Sequence, residues 1–174
     1  VSGKGVPAAL VMTVTQSLFR AISSRENSPA KIVASMNDSM AEKNENSMFV
    51  TFFRGILDLV TGQLRYCNAG HNPALRVGVS ESMVVTGTTV SQLPVESNIP
   101  LGLDTGFPFK EQEAFLGYDD TLFLYTDGVT EAENATFELF GEERLETTLS
   151  TKRDAQGQLE AARDAVNNFV GDTR

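Results

Sequence analysis

Residues 48–60 constrain the fold most, because they are apolar on both alternating faces. Phe49, Phe53, Leu57 and Leu59 lie on one, and Val50, Phe52, Ile56 and Val60 on the other. A strand of that kind has to be covered on both sides, so it belongs inside a layered structure and not on a wet surface. Thr61-Gly62 then signals a turn, and residues 63–69 return as the partner strand of a hairpin. Shorter strands are expected at 74–79, 83–85, 88–93, 109–115 and 121–125. The Pro- and Gly-punctuated stretch 93–108 reads as loop.

The two ends carry a different period. From Val6, apolar or small residues fall at 6, 9, 10, 13, 14, 17, 18, 21 and 22, which predicts a helix over 6–23. A second helix is expected from Ser28-Pro29, a serine cap with proline in the first turn. Ile32, Val33, Met36 and Met40 form its stripe, and it fades near Asn44. Further helices are predicted at 142–149 and 155–170, the latter striped by Leu159, Ala162, Val166 and Phe169. Helices at both ends with antiparallel strands between them imply an α+β fold and not an alternating parallel sheet.

Charge and cysteine content exclude several function classes. Among 174 residues, 14 Lys and Arg stand against 23 Asp and Glu, a net charge of −9, and no basic run is longer than Lys152-Arg153. Such a surface repels a phosphate backbone, so nucleic acid is not expected as a partner. The one cysteine, Cys67, has no partner for a disulfide and no metal-spaced companion, which favours a reducing compartment. Its place in a strand reads as that of a small buried hydrophobe. The longest mostly apolar stretch, 5–14, is shorter than the ~20 residues of a membrane helix. The chain opens on Val-Ser-Gly-Lys-Gly without a Met, and it is read as an excerpt of a longer protein, truncated at both ends.

Three stretches could carry chemistry. In residues 121–131 an apolar strand delivers Asp127 to its end, with Gly128 at once behind it. A carboxylate aimed in that way suits a hard cation such as Mg²⁺ or Mn²⁺; the plain alternative is that Asp-Gly marks a turn. Glu131 and Glu133 read as acids in the first turn of a short helix, complementing its dipole. The glycines around Lys4 precede a helix start and resemble a phosphate cradle, but Gly5 stands where a P-loop needs Ser or Thr. The turn at 68–73 holds the only histidine, His71, able to donate a proton or orient a ligand, or simply to satisfy a local hydrogen bond. Arg20, Arg54, Arg65 and Arg76 are all able to meet a phosphate, and nothing in the sequence ranks them.

Taken in order, these pieces resemble a known family. Val1-Ser-Gly-Lys-Gly-Val-Pro-Ala-Ala-Leu10, Met48-Phe-Val-Thr-Phe-Phe53, Gly55-Ile-Leu-Asp58, Thr61-Gly62, Tyr66 and Asn68-Ala-Gly-His-Asn-Pro73 form the first half of the series. Pro100-Leu-Gly-Leu103, Leu122-Phe-Leu-Tyr-Thr-Asp-Gly-Val-Thr-Glu-Ala132 and Phe140-Gly-Glu-Glu-Arg-Leu145 complete it. The series is similar to the PPM-type, metal-dependent protein serine/threonine phosphatases of bacteria, in the SpoIIE/RsbU-like branch, over residues 1 to about 145.

The resemblance implies a single domain over 1–174, a four-layer αββα sandwich with two central antiparallel sheets flanked by helices and its terminal strands missing. It implies two Mn²⁺ or Mg²⁺ ions activating a water that attacks the phosphoserine phosphorus in line. The strand-end aspartate of the family maps onto Asp127, and the backbone carbonyl after its bridging aspartate would be that of Val1. That bridging aspartate would precede Val1, and another ligand, on an Asp-Asp-Ile/Val-Thr strand, would follow residue 174. With Asp127 alone the chain is expected to be inactive or nearly so. The implied substrate is a phosphoserine on a regulatory protein of the anti-sigma-factor-antagonist type. The implied setting is cytoplasmic, with an upstream sensory or membrane module acting through the first two helices and a homodimer as one arrangement. A catalytically silent, PPM-like interaction domain is the alternative.

Overall fold

In the computed structural model, which describes residues 1–42, 44, 47–79, 88–151 and 154–171, the chain divides into two compact units. Along it run α1 (Val6–Ser23), α2 (Pro29–Ala41), β1 (Phe52–Leu57), β2 (Gln63–Ala69), β3 (Leu75–Val79) and β4 (Thr88–Gln92). There follow β5 (Gln112–Phe115), β6 (Thr121–Phe123), α3 (Asp127–Thr130), α4 (Gly141–Leu149) and α5 (Ala155–Val170). The architecture is mixed α+β with two antiparallel three-stranded sheets. The strand expected at 83–85 lies outside the described residues.

The first unit comprises Val1–His71 and Pro94–Phe115, with strand order β1-β2-β5. Its core gathers Ile32, Val33 and Met36 of α2 with Val50, Cys67, Ala69 and Leu101, so the predicted stripe of α2 is the buried one. Ser28 caps α2 by accepting the Lys31 N–H at 3.4 Å. The Glu111 carboxylate fastens that cap, accepting the Ser28 hydroxyl at 2.8 Å and the Arg65 guanidinium at 2.6 Å. Burial works to raise the pKa of Glu111, but the donors from Ser28, Arg65 and Ala30 outweigh it and hold the carboxyl below its usual range.

Two expectations need correction here. Helix α1 has the predicted bounds but buries only part of the predicted set: Leu18 and Ile22 join the core together with Val11 and Phe19 from outside it, and Thr15 is buried, while Val6, Leu10 and Val14 stand exposed. The helix is apolar nearly all round, so its period cannot choose the inward side. By length and composition α1 could also cross a membrane, with a mean hydropathy of 1.2 over 18 residues, although four of its side chains pack in this core. The strand expected at 48–60 pairs with β2 only over Phe52–Leu57 and is half-buried, being an edge strand. Val50 leaves that ladder to exchange two hydrogen bonds with Leu101, at 3.1 and 2.8 Å. Leu59 and Val60 lie exposed in a turn closed by Asp58, whose carboxylate accepts the Val60 and Thr61 N–H groups.

The second unit comprises Asn72–Leu93 and Leu116–Arg174, with strand order β4-β3-β6. Leu75, Val77, Tyr125, Phe140, Leu145, Leu149 and Ala162 form its core, and Phe123, Val166 and Phe169 pack against them. On α5 the predicted stripe holds for Ala162, Val166 and Phe169, whereas Leu159 is exposed and the neighbouring Gln158 is buried. Asp154 caps α5 by accepting the Gly157 N–H at 2.8 Å. Asp120 locks β6 to β3: it receives Arg76 at 2.5 Å and the Gly117 N–H at 2.6 Å, and its side chain is only 6% exposed. A side chain at Gly78 would collide with that carboxylate.

Candidate active site

The strand expected at 121–125 is shorter than the sequence suggests: β6 ends at Phe123, and Leu124, Tyr125 and Thr126 separate it from Asp127, which is therefore not at the strand end. The apolar run of β6 leads through Thr126, in extended backbone, to Asp127, which opens α3. The Asp127 carboxylate is exposed, and among the described residues no ion pair engages it. Only its carbonyl is occupied, by the Glu131 N–H at 2.7 Å and the Thr130 hydroxyl at 3.4 Å. A Cβ on Gly128 would meet nothing nearer than Thr126 Oγ1 at 3.7 Å, so the fold's own packing does not require glycine there. The short helix corrects the expectation for its acids. Asp127 is the acid of the first turn, Glu131 caps the opposite end, and Glu133 bridges to Leu139. An acid at a helix C-terminus gains nothing from the dipole.

Val1 and His71 belong to the first unit, and Asp127 belongs to the second. Val1 is exposed, and the residue after it is pinned. Ser2 donates its N–H to the Phe49 carbonyl at 2.8 Å, and its hydroxyl accepts the Phe49 N–H at 2.8 Å. His71 is half-buried, its Nδ1 3.5 Å from Thr51 Oγ1. Its turn is clamped by the buried Asn68, which accepts the His71 N–H at 2.7 Å and donates to the His71 carbonyl at 2.9 Å. Gly70 has a φ of +68°, and a Cβ there would lie 2.6 Å from Pro100 Cγ.

Sequence reasoning singled out residues 48–53 but missed the contacts by which they join these pieces. Phe49 holds Ser2, Val50 holds Leu101 and Thr51 reaches His71, so three consecutive residues stitch together three of the motifs. Two asparagines of the α2 region then fix the loop after Pro100. Asn37 accepts the Gly102 N–H at 3.0 Å and donates to the Asp104 carbonyl at 2.6 Å, and Asn44 donates to the Gly102 carbonyl at 2.7 Å. A full-length periodicity count scores Asn as a polar interruption, whereas wholly buried Asn37 and Asn68 satisfy backbone groups that no strand or helix ladder reaches.

The structure also separates the arginines. Arg65 pairs with Glu111 and Arg76 with Asp120. Arg54 lies over the Phe19 ring, 5.7 Å from its centroid, and Arg20 is an exposed residue in the last turn of α1. Cys67 is fully buried; that burial, with the Glu111 carboxylate adding to it, pushes its thiol up to about 12. A metal ion would find one fitting hard-oxygen ligand at Asp127. Among the described residues no group of three or more His, Cys, Asp or Glu is gathered to hold one. These residues alone therefore do not fit a pair of ions.

The sequence model of the stage II sporulation protein E (SpoIIE) family matches residues 1–174. Protein IcfG of Synechocystis sp. (strain ATCC 27184 / PCC 6803 / Kazusa) is 30% identical, over 91% of this chain and 28% of that protein. The phosphoserine phosphatase RsbU of Bacillus subtilis (strain 168) is 27% identical, over 75% of this chain and 37% of its own length. The chain thus spans about a third of the length of these curated relatives. The crystal structure of the RsbU and RsbW domains of a Mycobacterium tuberculosis protein has the same fold, with a TM-score of 0.77 at 24% identity over 99% of this chain and 46% of that one. RsbX in complex with magnesium gives 0.62 at 15% identity, over 97% and 69%. Matched over its whole length, the chain belongs to the SpoIIE family.

Proposed function

We propose that this is the phosphatase domain of a bacterial signalling protein, hydrolysing phosphoserine on a small regulatory protein of the anti-sigma-factor-antagonist type. Water is consumed, the serine–phosphorus ester bond breaks, and serine and inorganic phosphate are released. The carrying observation is Asp127: an exposed carboxylate opening α3 just beyond β6, with no ion pair among the described residues, followed by a glycine the packing does not require. Lone carboxylates aimed from rigid elements are the ligands that Mn²⁺ and Mg²⁺ take. The relative named a phosphoserine phosphatase and the neighbour solved with magnesium support a metal-dependent hydrolase.

The substrate, the choice of ion, a cytoplasmic setting and control through the first two helices belong to this proposal. A silent interaction domain is the second reading, favoured by the absence of a three-ligand group among the described residues. The test is phosphate release from a phosphoserine peptide with and without Mn²⁺ or Mg²⁺, for residues 1–174 and for a chain extended at both ends. The expected result is metal-dependent turnover by the extended chain and little by 1–174. Asp127→Asn is expected to cost the extended chain at least ~100-fold. Turnover indifferent to metal, or to Asp127→Asn, refutes the reading, and no metal binding by the extended chain favours the silent domain.

A further inference from the structure

Directly after α3 the chain folds back on itself in a small hairpin over residues 132–140. The Phe140 N–H bonds to the Ala132 carbonyl at 2.8 Å, the Asn134 N–H to the Glu138 carbonyl at 3.0 Å, and Glu133 bridges to Leu139. The tip is braced from inside by one side chain. Asn134 Oδ1 accepts the Thr136 N–H at 3.0 Å, the Thr136 hydroxyl at 2.8 Å and the Glu138 N–H at 2.9 Å, while its amide donates to Glu138 Oε2 at 3.0 Å. The base is anchored in the core of the second unit by Phe140, 2% exposed. Arg144 donates to the carbonyls of Leu139 and Phe140 and lies over the Phe169 ring.

All this bracing holds up an aromatic ring that touches little. Phe137 is 81% exposed and Leu139 50%. Phe137 also sits at φ +63°, a region that favours glycine or asparagine and is uncommon for an aromatic residue. The fold would be better served by a glycine, and solvation by a polar residue. A rigid, exposed ring on a pre-formed tip loses little conformational freedom when it is covered, which is what a docking residue needs.

The surroundings define the occupant's charge. Asp127, Glu131, Glu133, Glu138, Glu142 and Glu143 fall in the stretch 116–143, which contains no Lys or Arg. The next cation, Arg144, is turned to the hairpin's own carbonyls. A second copy of the chain, at −9, would be repelled. We propose that the 132–140 hairpin is a docking element for a protein segment in which an apolar side chain, covering Phe137 and Leu139, is flanked by lysines or arginines. That this segment belongs to the phosphoprotein substrate rests on the phosphatase reading above.

The test separates the two claims. Binding to the full chain is followed by fluorescence anisotropy with three unphosphorylated peptides of equal length, in the absence of metal. One carries a leucine between Lys and Arg residues, one the same leucine between glutamates, and one a serine between the basic residues. The basic, leucine-bearing peptide should bind most tightly and weaken as salt is raised. Phe137→Ala should weaken it about tenfold and Phe137→Leu far less. Phe137→Gly should melt higher than the parent, since its backbone is relieved, and yet bind as weakly as Phe137→Ala. Equal binding of the three peptides, or binding unchanged in Phe137→Ala and Phe137→Gly, overturns the proposal. So does a concentration-dependent dimer that Phe137→Ala abolishes, because the occupant is then a second copy. The phosphoserine form of the basic peptide, tested on a chain active towards p-nitrophenyl phosphate, supplies the link to catalysis. Phe137→Ala should raise KM for the peptide, leave its kcat, and leave p-nitrophenyl phosphate hydrolysis unchanged. No turnover of the phosphoserine peptide by that active chain defeats the phosphoserine phosphatase reading while the anisotropy still decides the docking.

Discussion

Replacing Gly70 by alanine tests the turn that carries His71. Gly70 has a φ of +68°, where an L-residue is disfavoured by ~1–2 kcal/mol. Its new Cβ would lie 2.6 Å from Pro100 Cγ, 2.8 Å from Cδ and 3.0 Å from the Pro100 nitrogen. Carbon atoms in ordinary contact are separated by about 3.5–4.0 Å, so the turn or the proline has to move by about 1 Å. Overpacking of that size costs ~1–3 kcal/mol. The two terms together predict a loss of ~2–5 kcal/mol, or a fall in Tm of roughly 5–15 °C for a chain of this length. Equilibrium urea unfolding followed by circular dichroism reads the loss as a lower midpoint with an unchanged slope. Pro100→Ala removes the two ring carbons, so the double-mutant cycle should return a coupling of ~1–3 kcal/mol and leave the backbone cost standing. A loss below ~0.5 kcal/mol, or the same loss in the Pro100→Ala background, refutes the steric argument.

Two further perturbations probe the cores. Asp120→Ala should destabilise the chain by ~1–3 kcal/mol, since the Gly117 N–H and Arg76 lose their acceptor; Arg76, with 42% of its side chain exposed, can turn to water. A urea midpoint within error of the parent would show that the bond carries no stability. Cys67 gives a pH signature: its thiol is held near 12 in the fold against ~8.5 when unfolded, so the unfolded chain sheds that proton first as pH rises. Stability should fall above about pH 8.5 by up to ~1.4 kcal/mol per unit, a slope that Cys67→Ala removes. Parallel curves for the two chains between pH 8 and 10 would contradict this.

The sequence made different parts of the fold legible to different degrees. Helix α5, polar on one side and apolar on the other, declares its bounds and, Leu159 excepted, its inward face; α2, with its serine cap and single stripe, declares its start and its inward face but ends at Ala41 and not near Asn44. Helix α1 declares its bounds but not its inward face, because both sides are apolar. Strand ends were less legible: apolarity continues from 48 to 60, yet the β1–β2 ladder covers only 52–57. Val50 is taken by Leu101 and Val60 by the Asp58 turn, and neither partner can be read from local spacing. The same limit applies to the candidate site. Asp127 is visible because an apolar run and a glycine frame it in the sequence, although β6 itself ends at Phe123. Asn68, Asn37 and Thr51 act through contacts 3, 65 and 20 residues away, and no local period marks them.

The interleaving of the two units sets an order on synthesis. The first unit lacks Leu101 and β5 until the ribosome has passed residue 115, although its helices and first hairpin emerge much earlier. The β3–β4 hairpin is complete at residue 92, yet Leu145, Leu149 and Ala162, which cover its Leu75 and Val77, are made later. At about 5–20 residues per second, that apolar face is uncovered for several seconds during every round of translation. The nascent chain is then most exposed to wrong partners at its middle, where a finished hairpin waits for helices that do not yet exist.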